Sequence, residues 1–226
     1  MLKAIIFDCD GVIADTEPIH LAGFTHVLAQ EGITLTRDDY LAHYLALDDR
    51  GCFTQAFAAH GSSLSGDQLT KLIGRKAGYV EQAMRTDLSL LPGVADFIKA
   101  AADRYPLAVA SGALRAEVET VVSHGGLREC FRVIVSAEDT PRSKPHPDPF
   151  NKAVELLNET IGERIEPLEC LVIEDSIHGI RAAHLAKMRC IAITSSYPKE
   201  KLSEAELVID SFLGLSLADV ESLFEP

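Results

Sequence analysis

Asp8 and Asp10 stand one residue apart in the stretch Ala4-Ile5-Ile6-Phe7-Asp8-Cys9-Asp10-Gly11, directly after an apolar run. A carboxylate is costly to bury unless a cation or hydrogen-bond donors meet it. Two acids in that place either shape a turn, which aspartate favours, or hold a cation and do chemistry. The same question returns at the ends of other apolar runs. Ser111 and Gly112 close the run 107–111, and Ser143-Lys144-Pro145 follows 132–136 after a short loop. Glu174, Asp175 and Ser176 close 170–174. Four strand ends thus deliver four acids, a hydroxyl with a glycine amide, and a lysine.

That set fits phosphoryl transfer. Asp8 would attack phosphorus and form an acyl phosphate, a recognised use of a carboxylate nucleophile. Mg2+ takes hard oxygen ligands from carboxylates, phosphate and water, which Asp8, Asp175, Glu174 and a backbone carbonyl at Asp10 can supply. Asp10 would protonate the leaving oxygen and later deprotonate the attacking water. The Ser111 hydroxyl and Gly112 amide would grip phosphate oxygens, and Lys144 would add a compensating charge. Four acids and one lysine leave −3 to face a dianionic phosphate. Mg2+ reduces that to −1 and a protonated Asp10 to zero. Without the ion the site would repel its substrate.

The elements that must carry these residues alternate along the chain. Short β-branched apolar runs at 3–7, 107–111, 132–136, 170–174, 189–193 and, more weakly, 207–209 predict strands covered on both faces, as in parallel sheets. Between them, apolar residues at three and four spacing predict helices over 94–104, 115–124, 149–160 and 176–187. Alternating strands and helices argue a doubly wound, mostly parallel α/β sheet. In such sheets ligands bind at the carboxyl ends of the strands, where the chemistry-bearing residues collect. Residues 16–90 interrupt the alternation with helical patterns over 18–31, 36–46, 50–60 and 66–86, broken at Gly32, Gly61 and Gly66. Leu91-Pro92-Gly93 punctuates the return. The expectation is an α/β core from 1–15 and 91–226, with an all-helical domain, 16–90, inserted after the first strand.

Composition narrows the partners. The 226 residues carry a net charge of −13 and no basic run, so neither nucleic acid nor an anionic membrane surface is an expected partner. The five cysteines form no CxxC pair and sit mostly inside apolar runs, which points to buried thiols in a reducing compartment. Cys9, beside the nucleophile, should alternate into the core. The chain opens on a strand with no charged leader or signal region, and no apolar run spans a bilayer. A cytoplasmic protein acting on a small phosphorylated metabolite, with no obligate protein partner, is expected.

The motifs Asp8-Cys9-Asp10-Gly11-Val12, Ser111, Ser143-Lys144-Pro145 and Ile173-Glu174-Asp175-Ser176, in that order, resemble the haloacid dehalogenase superfamily. A helical insert after the first strand resembles the branch containing β-phosphoglucomutase and phosphoglycolate phosphatase. The resemblance covers essentially the whole chain. It implies a Rossmann-like core with a cap, and a Mg2+-dependent phosphoaspartyl mechanism with Asp8 as nucleophile and Asp10 as acid/base. It implies Ser111 and Lys144 on the phosphate, and Glu174 and Asp175 on the metal side. His20 and Lys76 fall where mutase-like members carry a His and a Lys that couple cap closure to acid/base positioning. Arg50 resembles a cap arginine that reads the distal group of the substrate. The cap loop here reads Ala46-Leu47-Asp48-Asp49-Arg50 where mutases present Lys-Gly, and Leu114-Arg115, with Arg115 a candidate substrate contact, stands where they carry Lys-Asn. Those departures favour a phosphatase, with a β-phosphoglucomutase-like phosphomutase as the alternative. A phosphorylated receiver module lacks both an Asp10 equivalent and a long insert, and a dehalogenase requires neither Asp10 nor the metal acids.

Overall fold

The computed structural model describes residues 1–45 and 47–225; Ala46, the first residue of the cap loop above, and Pro226 lie outside the described residues. The chain divides into two compact units, Met1–Asp15 with Ser89–Pro226, and Thr16–Leu88.

Strand β1 (Ala4–Phe7) is fully buried and leads into the helical unit. That unit holds α1 (Glu17–Gln30), α2 (Arg37–His43), α3 (Asp49–Ala59) and α4 (Gly66–Asp87). Polar caps set their starts. The Thr36 side chain accepts from the Asp39 amide, and Asp48 accepts from the Gly51 amide at 2.7 Å. Ser65 and Gln68 form a reciprocal capping box at the head of α4. Gly66, which opens the helical pattern read over 66–86, is the first helical residue of α4. Phe24, Val27, Leu28, Tyr40, Phe53 and Leu72 build this unit's own core, with Phe24 and Phe53 edge-to-face at 5.2 Å.

The other unit resumes with α5 (Val94–Ala102) and β2 (Leu107–Ala110), then α6 (Arg115–His124) and β3 (Phe131–Val135). It continues through α7 (Asp148–Ile161), β4 (Cys170–Glu174), α8 (Ile177–Leu185) and β5 (Arg189–Ile193) to β6 (Leu207–Ile209) and α9 (Leu217–Ser222). The sheet is parallel throughout, in the order β3-β2-β1-β4-β5-β6. Side chains alternate across it. Ile6, Ala108, Val133 and Val172 pack with Phe150, Leu157, Ile180 and Ala183 of α7 and α8. Phe7 points the other way, edge-to-face with Phe97 of α5 at 6.2 Å and with Phe131 at 5.8 Å. Each of the larger side chains among these, taken fully out of water, contributes roughly 1.5–3 kcal/mol before entropy is counted. The fold is the doubly wound α/β sheet expected, with a helical unit inserted after β1.

The unit boundary differs from the sequence-based limit by two residues. Ser89 and Leu90 belong to the sheet-bearing unit: the Ser89 carbonyl accepts from the Asp15 amide at 3.0 Å, and Leu90 bridges Ala14. Backbone pairing across the two crossings is a tertiary contact that Leu91-Pro92-Gly93 does not reveal. The sequence pattern predicts no helix at α9, because six residues with one buried apolar side chain, Val220, show no period. Among the described residues, no helix is long and apolar enough to cross a membrane.

Candidate active site

Strand β1 lies between β2 and β4, where the chain order reverses, so the carboxyl ends of β1 and β4 form the switch point of the sheet. Asp8 is the first residue beyond β1, and its amide bonds the Ile173 carbonyl at 2.9 Å. Chain direction and register thereby set Asp8 beside the Glu174-Asp175 end of β4.

The central feature is a buried ion-pair triad. The Lys144 ammonium sits 2.9 Å from Asp8 Oδ1 and 2.6 Å from Glu174 Oε1. It also lies over the Phe150 ring, 5.1 Å from its centre, in a cation–π contact. Glu174 is fully buried, and its other oxygen accepts from the amides of Asp175 and Ser176, each at 3.0 Å, and from the Ser176 hydroxyl at 2.8 Å. Ser176 in turn caps α8 by accepting from the Gly179 amide at 2.9 Å. Glu174 thus orients the lysine and seats at the positive end of a helix.

Electrostatics follow from this crowding. Burial pushes the Asp8 carboxyl up; Lys144 opposes that, Glu174 and Asp10 add to it, and the net value is about 8. Burial also works against the Glu174 carboxylate, but Lys144 and the Ser176 and Asp175 donors outweigh it and hold this carboxyl below its usual range. Burial works against the Lys144 ammonium as well, and the two carboxylates outweigh it, so Lys144 stays charged. Burial drives the Cys9 thiol well up, and the side chain is fully inside, so it is held as a neutral thiol.

Asp8, Glu174 and Asp175 each offer a carboxylate oxygen within 4.8 Å of the others. Three carboxylates against one lysine leave a formal −2 in a largely buried cluster of oxygen donors. Hard oxygens and that charge fit a divalent cation such as Mg2+. Because both Glu174 oxygens are already engaged, Asp8 and Asp175 are the better direct ligands, with Glu174 behind them.

The remaining sequence-predicted residues are placed as follows. Ser111, directly after β2, is buried; its hydroxyl accepts from the Ala113 amide at 3.0 Å and donates to Asp10 Oδ2 at 3.4 Å. Gly112 is exposed beside it. Arg115 is not drawn to these acids: its guanidinium donates to Asp139 at 2.6 Å and to the Ile134 carbonyl at 3.1 Å. In the helical unit, the buried Lys76 ammonium meets His20 Nδ1 at 2.6 Å and Asp49 at 2.8 Å, over the Phe24 ring. Arg50 is exposed on the first turn of α3.

Several contributors went unread in the sequence. A glycine inside a helix costs stability unless packing demands it, and Gly179 is such a case: a Cβ there would lie 1.8 Å from Glu174 Cδ and 2.0 Å from each carboxylate oxygen. Gly179→Ala would gain about 1 kcal/mol of helix propensity. Overpacking costs about 1–3 kcal/mol or more, so the variant should unfold at lower temperature. Displacing Glu174 releases Lys144, and turnover should fall roughly 100-fold. Wild-type melting and turnover together would refute that packing argument. Asp49, Ser195 and Ser196 carry no local signal at all.

A family model described as haloacid dehalogenase-like hydrolase matches residues 5–193. Protein CbbY of Rhodobacter capsulatus is 30% identical over 205 residues, 88% of each chain. The fructose-1-phosphate phosphatase YqaB of Escherichia coli is 30% identical over 189 residues, 84% of this chain and 95% of that one. A crystal structure of a mutant CbbY from Rhodobacter sphaeroides with xylulose-(1,5)-bisphosphate superposes with a TM-score of 0.85 at 27% identity, covering 96% of this chain and 97% of that chain. With the doubly wound sheet and the acids gathered at its switch point, these likenesses make the chain an enzyme of the haloacid dehalogenase-like hydrolase family, of the phosphoric monoester hydrolase kind.

Proposed function

We propose that this hydrolase is a Mg2+-dependent phosphatase of small sugar or polyol phosphates, working through an aspartyl phosphate on Asp8. The observation that carries this reading is the buried lysine held between Asp8 and Glu174 at the switch point. Such a lysine fixes the nucleophile and presents positive charge where phosphate oxygens must come.

In the first step an Asp8 oxygen attacks phosphorus, the phosphorus–ester oxygen bond breaks, and Asp10 gives its proton to the departing oxygen. In the second, water attacks the aspartyl phosphate, Asp10 takes a proton from that water, and the bond from phosphorus to Asp8 breaks to release inorganic phosphate. Ser111, hydrogen-bonded to Asp10 in the structure, orients the acid/base and shares the phosphate oxygens with the Gly112 amide. Bound Mg2+ would supply charge neutralisation for the phosphoryl oxygens. Asp8 and Asp175 would hold it, with Glu174 supporting them. A carboxyl held near 8 by burial must ionise to act, and a cation beside it favours the ionised form. General acid catalysis contributes about 10²–10⁴-fold, so charge stabilisation and positioning carry most of the acceleration.

The helical unit is assigned the role of cap, with His20 and Lys76 among the substrate-side residues and Arg50 as the exposed cation reading the distal end of the substrate. Arg115, tied to Asp139, is assigned a structural role. A mutase must hold a second phosphate, and the commitment of Arg115 argues for the phosphatase instead. Sugar phosphates come first among candidate substrates because fructose 1-phosphate and xylulose bisphosphate appear with the relatives above. The test is phosphate release from hexose, pentose and hexitol phosphates, with Mg2+ and with a chelator. Metal-dependent release is expected. Conversion of a hexose 1-phosphate to the 6-phosphate without release would install the mutase reading.

A further inference from the structure

The loop after β5 enters the cluster with two hydroxyls. The Ser196 hydroxyl donates to Asp175 Oδ2, and the Ser195 hydroxyl donates to the Gly11 carbonyl. Both partners belong to the switch point, one on the turn after β1 and one beyond β4. Gly11 adds a third constraint. It has φ +70°, and a Cβ built there would lie 2.0 Å from Asp175 Oδ2 and 3.0 Å from Ser196 Oγ. Asp175 therefore lies against the bare Cα of Gly11 on one side and is bonded by Ser196 through the same oxygen.

Fixing one oxygen of a carboxylate fixes its plane, and with it the direction of the other oxygen. We propose that Ser196 is a positioning residue for the divalent-cation site: its hydroxyl sets the rotation of Asp175, while Ser195 holds the Asp8–Gly11 turn in register with it. The proposal rests on the metal-site reading given above. Partners that orient a ligating carboxylate typically change metal affinity by about 10–100-fold when removed. Ser196 is half-buried beyond the strand end and fills no core position, so its removal should leave the fold alone.

The experiment is calorimetric titration of Mg2+ into chelator-stripped full-length wild type, Ser196→Ala and Ser196→Thr, paired with thermal unfolding of each without metal. Ser196→Ala should bind Mg2+ at least about 10-fold more weakly, with its metal-free melting temperature unchanged. Ser196→Thr, which keeps the hydroxyl, should bind within roughly 3-fold of wild type. At saturating Mg2+ the alanine variant should recover most of its turnover, since affinity rather than chemistry is lost. Unaltered Mg2+ binding in Ser196→Ala, with normal binding in wild type, would overturn this proposal alone. A threonine variant as weak as alanine would overturn it too, because the hydroxyl would not be the cause. Absence of Mg2+ binding by wild type would remove the metal-site reading and this proposal together.

Discussion

Replacing Asp8 with asparagine should abolish phosphate release, lowering turnover on the order of 10⁴-fold or more, with the protein still folded. The change removes the attacking oxyanion and leaves the shape of the site. It also removes a carboxyl that must take up a proton on folding at pH 7, since burial and the neighbouring Glu174 and Asp10 push Asp8 to about 8. Asp8→Asn should therefore be at least as stable as the metal-free wild type at pH 7, measured by chemical denaturation. Lost activity with retained stability separates a nucleophile from a structural acid. A variant that turned over phosphate esters normally would end the mechanism proposed here.

Lys144→Met should have the opposite balance, with large losses in both. The ammonium is shared by two buried carboxylates at 2.9 and 2.6 Å. Removing one partner of a buried pair costs about 3–5 kcal/mol, because the charge left behind is uncompensated. Turnover should fall roughly 10²–10³-fold, the usual cost of deleting one preorganised electrostatic contact. The stability loss should depend on pH in a defined direction. Without the lysine, Asp8 stays raised and Glu174 joins it, while in the unfolded chain both ionise near pH 4. Groups whose folded pKa is raised bind protons on folding, so their folded form is favoured at low pH and penalised as pH rises. Lys144→Met should thus lie closer to wild type at pH 5 than at pH 8. An equal penalty at both would show that these carboxylates are not the cause.

The parts legible in the sequence were those written locally. Near-continuous apolar runs such as Cys170-Leu171-Val172-Ile173 announce a strand buried on both faces. Parallel strands send their ends to one edge, so the acids after β1 and β4 were bound to meet. The span Arg115–His124 carries its helical period openly. What the sequence hid depends on distance in space. Lys76 meets His20 across 56 positions, and Asp49 joins them from a third helix. The bond from Arg115 to Asp139 likewise forms only once the end of β3 lies beside α6. Ser196 is one serine among many until β5 lies next to β4.

The central claim is a phosphoryl group on Asp8, and the direct measurement is chemical trapping. Enzyme, Mg2+ and a sugar phosphate substrate are mixed, quenched during turnover and treated with borohydride, which reduces an acyl phosphate to the alcohol. Peptide mass spectrometry then reads the sites. Reduction of residue 8 to homoserine, dependent on substrate and absent from Asp8→Asn, is the result predicted. Active turnover with residue 8 unlabelled, or with the label on another carboxylate, would contradict the mechanism.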